Sequence, residues 1–137
     1  MKIGFNILPL KTGSKTRGMG MYTRMLLKEL KKTDMVEIKE FSYINELNKV
    51  DLVHYPFFDP FFATLPFRKK FPTVVTIGDV TPIIFPEHYP PGIKGKIKSK
   101  IQQISLKGVK AVITFSRSSK EDIEKVYKIP SKKIFPI

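Results

Sequence analysis

The chain has 137 residues, 42% of them hydrophobic, which is enough for one domain with a buried core and excludes intrinsic disorder over most of its length. It has no cysteine and only two histidines, so disulfide scaffolds, thiolate metal sites and histidine-rich metal sites are excluded. Lysine and arginine number 25 against 12 aspartate and glutamate, a net charge of +13. This surplus fits either anionic partners, such as phosphates, nucleic acid or an acidic membrane surface, or a solvated basic surface on a domain of a larger protein.

The chain alternates short apolar segments with helical patterns. Strands are predicted at residues 3–8, 36–41, 52–55, 73–77, 111–115 and 134–137, and helices at residues 18–32, 90–110 and 116–128. This order predicts an α/β, Rossmann-like fold with a mostly parallel β-sheet flanked by helices, as a single domain over residues 1–137. Parallel sheets bind ligands at the carboxyl ends of their strands, so we expect the site to follow Leu8, Tyr55, Ile77 and Phe115.

Two glycines open the first predicted helix, after a loop at residues 11–17. Gly18 and Gly20 allow a ligand to approach the backbone, and the helix N-terminus offers free N–H groups to a phosphate. The spacing matches neither the dinucleotide fingerprint nor a P-loop. A phosphate site and a flexible loop with a glycine-opened helix therefore both fit this segment.

A histidine and an acid follow two neighbouring strands. His54 lies at the end of one predicted strand and Asp79 just after the next. Each fits a structural role, as a buried histidine or a turn cap, but both fall at the predicted ligand edge of one sheet. We therefore predict both as catalytic residues.

An aromatic segment occupies residues 55–71 and ends in three basic residues. We expect a loop and a short helix that pack most of these aromatics on the core, with an acceptor or lipid surface as the alternative. The next helix is basic and amphipathic, with isoleucines at one-face spacing: Ile93, Ile97, Ile101 and Ile104. We expect its isoleucines to face the core and its lysines to face water or an anionic membrane.

Four motifs occur in a specific order along the chain. A Gly-x-Gly-x-Tyr-Thr helix start lies at residues 18–23, and an Asp-Leu-x-His-x-Pro strand at residues 51–56. A Pro-x-Val-Val-Thr-Ile strand at residues 72–77 leads to Asp79 and to Phe-Pro-Glu at residues 85–87, and a further strand precedes a Ser-Lys-x-Asp helix start at residues 119–122. This order resembles the N-terminal domain of group 1 glycosyltransferases of the GT-B fold over essentially the whole chain.

The resemblance implies transfer of a sugar from a nucleotide-diphosphate sugar to a carbohydrate or lipid-linked acceptor, usually with retained configuration, and without a metal or other cofactor. The amides of Gly18 and Gly20 would approach the donor diphosphate, assisted by Arg17 and Lys15. The acceptor or membrane surface would comprise Tyr22 and four lysines of the basic helix: Lys94, Lys96, Lys98 and Lys100. In this family a second, C-terminal lobe holds the nucleotide sugar; since this chain lacks that lobe, we expect it to be inactive alone.

Two positions depart from the family pattern. Gly78 stands where the family commonly has a histidine that contacts the donor sugar, and Met21 where it commonly has arginine. Either change alters donor or acceptor choice, or signals lost activity.

Two other function classes remain open at the level of sequence. One is a basic α/β module that binds nucleic acid or other anionic ligands without catalysis. The other is a Rossmann nucleotide-binding regulatory or redox domain, but the acid that should end its second strand is poorly matched. No segment resembles a signal peptide or a membrane span, so we expect a cytoplasmic protein that contacts the inner face of a membrane, if at all, peripherally.

Overall fold

The computed structural model describes residues 1–137 and contains one six-stranded sheet in which every strand pair is parallel. The strands are β1 (Lys2–Asn6), β2 (Glu37–Phe41), β3 (Leu52–Tyr55), β4 (Thr73–Thr76), β5 (Ala111–Thr114) and β6 (Ile134–Pro136). The helices are α1 (Gly18–Leu30), α2 (Thr81–Ile84), α3 (Gly92–Lys107) and α4 (Arg117–Tyr127). The predicted Rossmann-like α/β fold is confirmed.

The strand order β2-β1-β3-β4-β5-β6 contains one reversal of direction. From β1 the chain moves outward to β2, then returns past β1 to β3 and continues the other way to β6. Such a sheet forms its ligand crevice where the connections diverge, outside the carboxyl ends of β1 and β3. The topology therefore predicts where the site lies before any side chain is considered.

The main core lies between one face of the sheet and the helices α3 and α4. Val53, Val75 and Val112 project from the central strands onto this side and meet Leu106 of α3 and Ile123 of α4. All five are at most 1% exposed. Burying each of these side chains contributes roughly 1.5–3 kcal/mol, which holds the two helices on the sheet.

The opposite face of the sheet is covered by α1. Because side chains alternate along a strand, His54 and Thr76 point to this side, where Thr23 and Leu27 of α1 are buried. This helix is the first α-helix after β1, so its N-terminus starts at the ligand edge of the sheet.

The first strand ends at Asn6, two residues before its predicted end. The Asn6 side-chain amide donates to the Ser42 carbonyl at 3.1 Å, and its oxygen accepts from the Leu8 amide at 3.3 Å. Pro9 then sits in a 3-10 turn at Leu8–Leu10. These local bonds replace sheet pairing and turn the chain toward α1.

The expectation that the isoleucines of α3 face the core is wrong. Exposure is 82% for Ile93, 57% for Ile97, 46% for Ile101 and 49% for Ile104. Only one of the buried residues of this helix is a large apolar one; the four are Gly95, Gln102, Ser105 and Leu106.

The segment at residues 57–69 explains this orientation of α3. The Gln102 side chain accepts from the Leu65 amide at 2.9 Å and donates to the Leu65 carbonyl at 3.0 Å, so it satisfies the backbone of a buried loop. Gly95 faces the same segment, since a Cβ added there would stand 3.8 Å from the Phe61 ring. The face of α3 that packs is therefore selected by hydrogen bonds to the loop backbone and by the close approach at Gly95. Neither feature is visible in a hydropathy pattern.

The aromatic segment contains no α-helix, contrary to expectation. Tyr55 and Phe58 are buried as predicted, at 5% each, but Phe62 and Phe67 are 62% and 61% exposed. None of the four helices has the length and apolar content that a membrane crossing requires.

Candidate functional site

A cleft of about 1050 Å³ opens at the carboxyl edge of the sheet. Its walls come from the segments that follow β1, β3, β4 and β5, as the parallel topology predicts. The polar and charged residues of its lining are Thr12, Ser14, Arg17, Asp59, Thr64 and Asp79. Gly18 of the first helix and Asp79 therefore share one cleft.

The N-terminus of α1 is directed at this cleft through Gly18 and Met19. The first amide to donate within the helix is that of Met21, to the Arg17 carbonyl at 3.0 Å. No side chain caps this helix start, so the preceding amides keep the partial positive charge of an open N-terminus. An anionic ligand fits such an end.

The two glycines of this helix start have different roles. Gly18 lines the cleft, and a Cβ added there would meet no atom within 4 Å. Gly20 is buried, and its Cβ would stand 2.1 Å from the Ser14 carbonyl oxygen. Gly20 therefore lets the turn at Gly13–Thr16 pack on the helix, and it does not line the cleft where the sequence placed it.

The two basic residues predicted to assist diphosphate binding lie in different places. Arg17 lines the cleft, whereas Lys15 on the same turn is exposed and does not. Neither forms an ion pair with a carboxylate. Arg17 is therefore the basic side chain that is free to bind an anion in the cleft.

Two carboxylates line the same cleft. Asp79, predicted from the sequence, accepts from the Thr81 amide at 2.9 Å through one oxygen. Asp59 accepts from the Phe61 amide at 2.8 Å, also through one oxygen, and sequence reasoning missed it. Its position after a strand of the ligand edge was the available signal. The second oxygen of each carboxylate makes no hydrogen bond within the protein and is available to ligand hydroxyls.

His54 lies beneath the cleft and does not line it. Its ring is 7% exposed, packs edge-on against Phe5, and places Nε2 2.9 Å from the Thr76 Oγ1. Burial lowers the pKa of His54 to about 4, so the ring is neutral at neutral pH. The structure gives this residue a packing position, and its catalytic role stays a prediction.

Tyr22, predicted to belong to the acceptor or membrane surface, is half-buried and supports the wall of the cleft from behind. Its hydroxyl lies 3.3 Å from the Thr76 Oγ1, and its ring packs edge-on against Phe115 at 4.9 Å. Phe115 lines the cleft and Tyr22 does not. Burial raises the pKa of Tyr22, as expected for a phenol withdrawn from water.

The four predicted lysines of α3 lie outside the cleft, and all four are exposed. Lys96 and Lys100 line a separate groove of about 290 Å³ together with Phe61. The Lys98 ammonium lies 5.6 Å from the ring centre of Phe62, which lines the cleft. The lysines are thus separated from the α1 terminus, and the 61–62 segment connects the two regions.

Gly78 lines the cleft beside Met19. A Cβ at residue 78 would stand 3.2 Å from the Met19 sulfur and 3.5 Å from the Phe115 ring. Met19 therefore borders the space that a side chain at residue 78 would enter.

Comparison with known proteins identifies the family. No curated protein and no solved structure matches the chain. The sequence profile described as Glycosyltransferase Family 4 matches residues 37–137, from β2 to the last residue, and leaves β1 and α1 outside the match. That match covers more than half of a chain whose parallel sheet and edge cleft suit one lobe of a GT-B enzyme. The chain belongs to Glycosyltransferase Family 4.

Proposed function

We propose that this chain is the N-terminal, acceptor-side lobe of an enzyme that transfers a sugar from a nucleotide-diphosphate sugar to a carbohydrate or lipid-linked acceptor, with retention at the anomeric carbon. One observation carries the proposal: a single cleft combines an uncapped helix N-terminus, an unpaired arginine and two carboxylates. Its position at the carboxyl edge of the sheet leaves it open toward a second, C-terminal lobe that would hold the nucleotide.

The chemistry of transfer explains the need for these groups. As the bond between the sugar and the diphosphate breaks, negative charge develops on the departing phosphate oxygens. The amides at the start of α1 and the Arg17 guanidinium stabilise that charge when they are already positioned in a water-poor cleft. Asp59 and Asp79 accept hydrogen bonds from sugar hydroxyls and so orient the sugar or the acceptor.

An NMR titration of the 137-residue chain tests the diphosphate part of the proposal. Added pyrophosphate, UDP or GDP should shift the backbone amides of Gly18, Met19 and Asp79, which lie around the cleft. Shifts confined to the lysines of α3 would contradict the assignment, because those lysines lie outside the cleft.

A matched pair of variants sharpens this test. Arg17→Gln removes the cation that lines the cleft, and Lys15→Gln removes an equal charge from the same turn outside it. Loss of a charge-assisted hydrogen bond of about 1.5–3 kcal/mol should weaken pyrophosphate binding roughly 10- to 100-fold in the first variant. Equal weakening in both variants would mean that binding depends on net charge and not on the cleft.

Turnover requires both lobes in this proposal. We expect the 137-residue chain to release no nucleoside diphosphate from nucleotide sugars, since it supplies only one wall of the reaction cleft. Transfer by this chain alone would refute the two-lobe assignment. The anomeric proton coupling of the product made by the two-lobed enzyme tests retention.

A further inference from the structure

The outward surface of α3 carries an apolar stripe. Successive residues of an α-helix are about 100° apart around its axis, which places Ile93, Ile97 and Ile104 within roughly 40° of one another. Ile101 extends the stripe on one side, and all four side chains are 46–82% exposed. The stripe lies opposite the buried Gly95 and Gln102, so the helix turns its most apolar surface away from the protein.

Lysines flank this stripe on both sides. By the same geometry Lys96, Lys100 and Lys107 lie along one margin, and Lys94 and Lys98 along the other. All five are exposed, and none forms an ion pair. No acidic residue occurs between Glu87 and Glu121, so no carboxylate of this segment offsets the positive charge.

We propose that α3 binds an anionic lipid surface, with its isoleucines entering the boundary between headgroups and acyl chains and its lysines contacting the headgroup phosphates. An apolar stripe with lysine margins is the arrangement that interfacial helices use. Nucleic acid would use the lysines but offers no apolar layer to receive four isoleucines. A second copy of this chain carries the same positive margins, which would repel one another across a shared stripe.

The contacts of α3 relate this surface to the cleft. Lys98 lies over the ring of Phe62, which is exposed and lines the cleft, while neighbouring Phe61 lines the groove beside Lys96 and Lys100. A membrane held on α3 therefore lies beside the segment that leads into the cleft. The inference does not depend on sugar transfer, and failure of lipid binding leaves the diphosphate titration unaffected.

Vesicle co-sedimentation of the 137-residue chain tests the proposal. Vesicles of equal parts phosphatidylglycerol and phosphatidylcholine should bind the chain, in a manner that weakens with added salt, and pure phosphatidylcholine vesicles should not. The double variant Lys96→Gln, Lys100→Gln should bind about 30-fold more weakly, at about 5-fold for each lysine near the surface. The double variant Ile97→Ser, Ile104→Ser should lose at least about 10-fold.

Matched controls come from exposed residues elsewhere. Lys28→Gln with Lys132→Gln removes the same charge, and Met25→Ser with Met35→Ser removes exposed apolar side chains, both away from α3. These variants should bind like the unmodified chain. Because every substituted side chain is exposed, all variants are expected to fold, which circular dichroism verifies.

Four results would overturn the proposal. They are absence of binding to anionic vesicles, equal binding by the isoleucine variant, equal weakening by the lysine control, and self-association through the stripe, seen by sedimentation velocity, that replaces lipid binding. An oligonucleotide that binds the chain and is unaffected by the isoleucine changes would instead assign the basic surface to nucleic acid.

Discussion

The buried imidazole of His54 makes the stability of the fold depend on pH. Burial lowers its pKa from 6.5 to about 4, so the folded state resists a proton that the unfolded chain accepts readily. The sign follows from this difference: the full stability is present above pH 6.5 and is lost progressively as pH falls toward 4. Neither the hydrogen bond to Thr76 nor the edge-on contact with Phe5 supplies a negative charge that would offset protonation.

The size of the effect follows from the two pKa values. At pH 5 the unfolded imidazole is almost fully protonated and the folded one is mostly neutral, which costs about 2 kcal/mol of unfolding free energy; near pH 4 the cost approaches about 3 kcal/mol. The variant His54→Gln removes the titration and keeps polar atoms that can reach the Thr76 hydroxyl.

Urea denaturation of both chains at pH 7.5 and at pH 5 measures this cost. All other groups titrate alike in the two chains, so the unmodified chain should lose about 2 kcal/mol more than the variant between these pH values. Parallel losses would refute the conclusion that the ring is buried and neutral.

Three further substitutions test the packing, each by urea denaturation at neutral pH. Gly20→Ala should cost about 2 kcal/mol because its Cβ meets the backbone of the preceding turn, whereas Gly18→Ala, in open space, should change stability by less than about 0.5 kcal/mol. Gln102→Ala should cost about 2–4 kcal/mol because it leaves a buried N–H and C=O unsatisfied, and the partly exposed neighbour change Gln103→Ala should cost far less. Ser116→Ala removes the hydroxyl that accepts from the Ser119 amide at the start of α4, and it should cost about 1 kcal/mol. No loss would mean that α4 needs no cap.

The strands were predictable because their signal is local. A run of β-branched residues between turn residues is typical of a buried strand and located β4. The boundaries predicted for β3, residues 52–55, are those observed. The ligand edge was equally predictable, since parallel connections must bring the carboxyl ends of β1, β3, β4 and β5 together.

Side-chain direction was less predictable, because it depends on what packs against each element. The isoleucine spacing of α3 located an apolar face, but the bonds from Gln102 to Leu65 decide which face is buried. The site shows the same limit. The sequence brought His54 and Asp79 to one edge, whereas in the structure His54 points to the α1 face of the sheet and is buried there. Asp59 enters the cleft from an irregular segment without a periodic pattern.

The contact between Gly78 and Met19 couples two positions that lie far apart in the sequence. A β-carbon at residue 78 would lie 3.2 Å from the Met19 sulfur, so the flexible Met19 side chain would have to move by a few tenths of an ångström. The effect of a side chain at residue 78, such as the histidine that group 1 enzymes commonly carry there, therefore depends on how far the Met19 side chain can move. A smaller residue at position 19 would give the side chain at residue 78 more room.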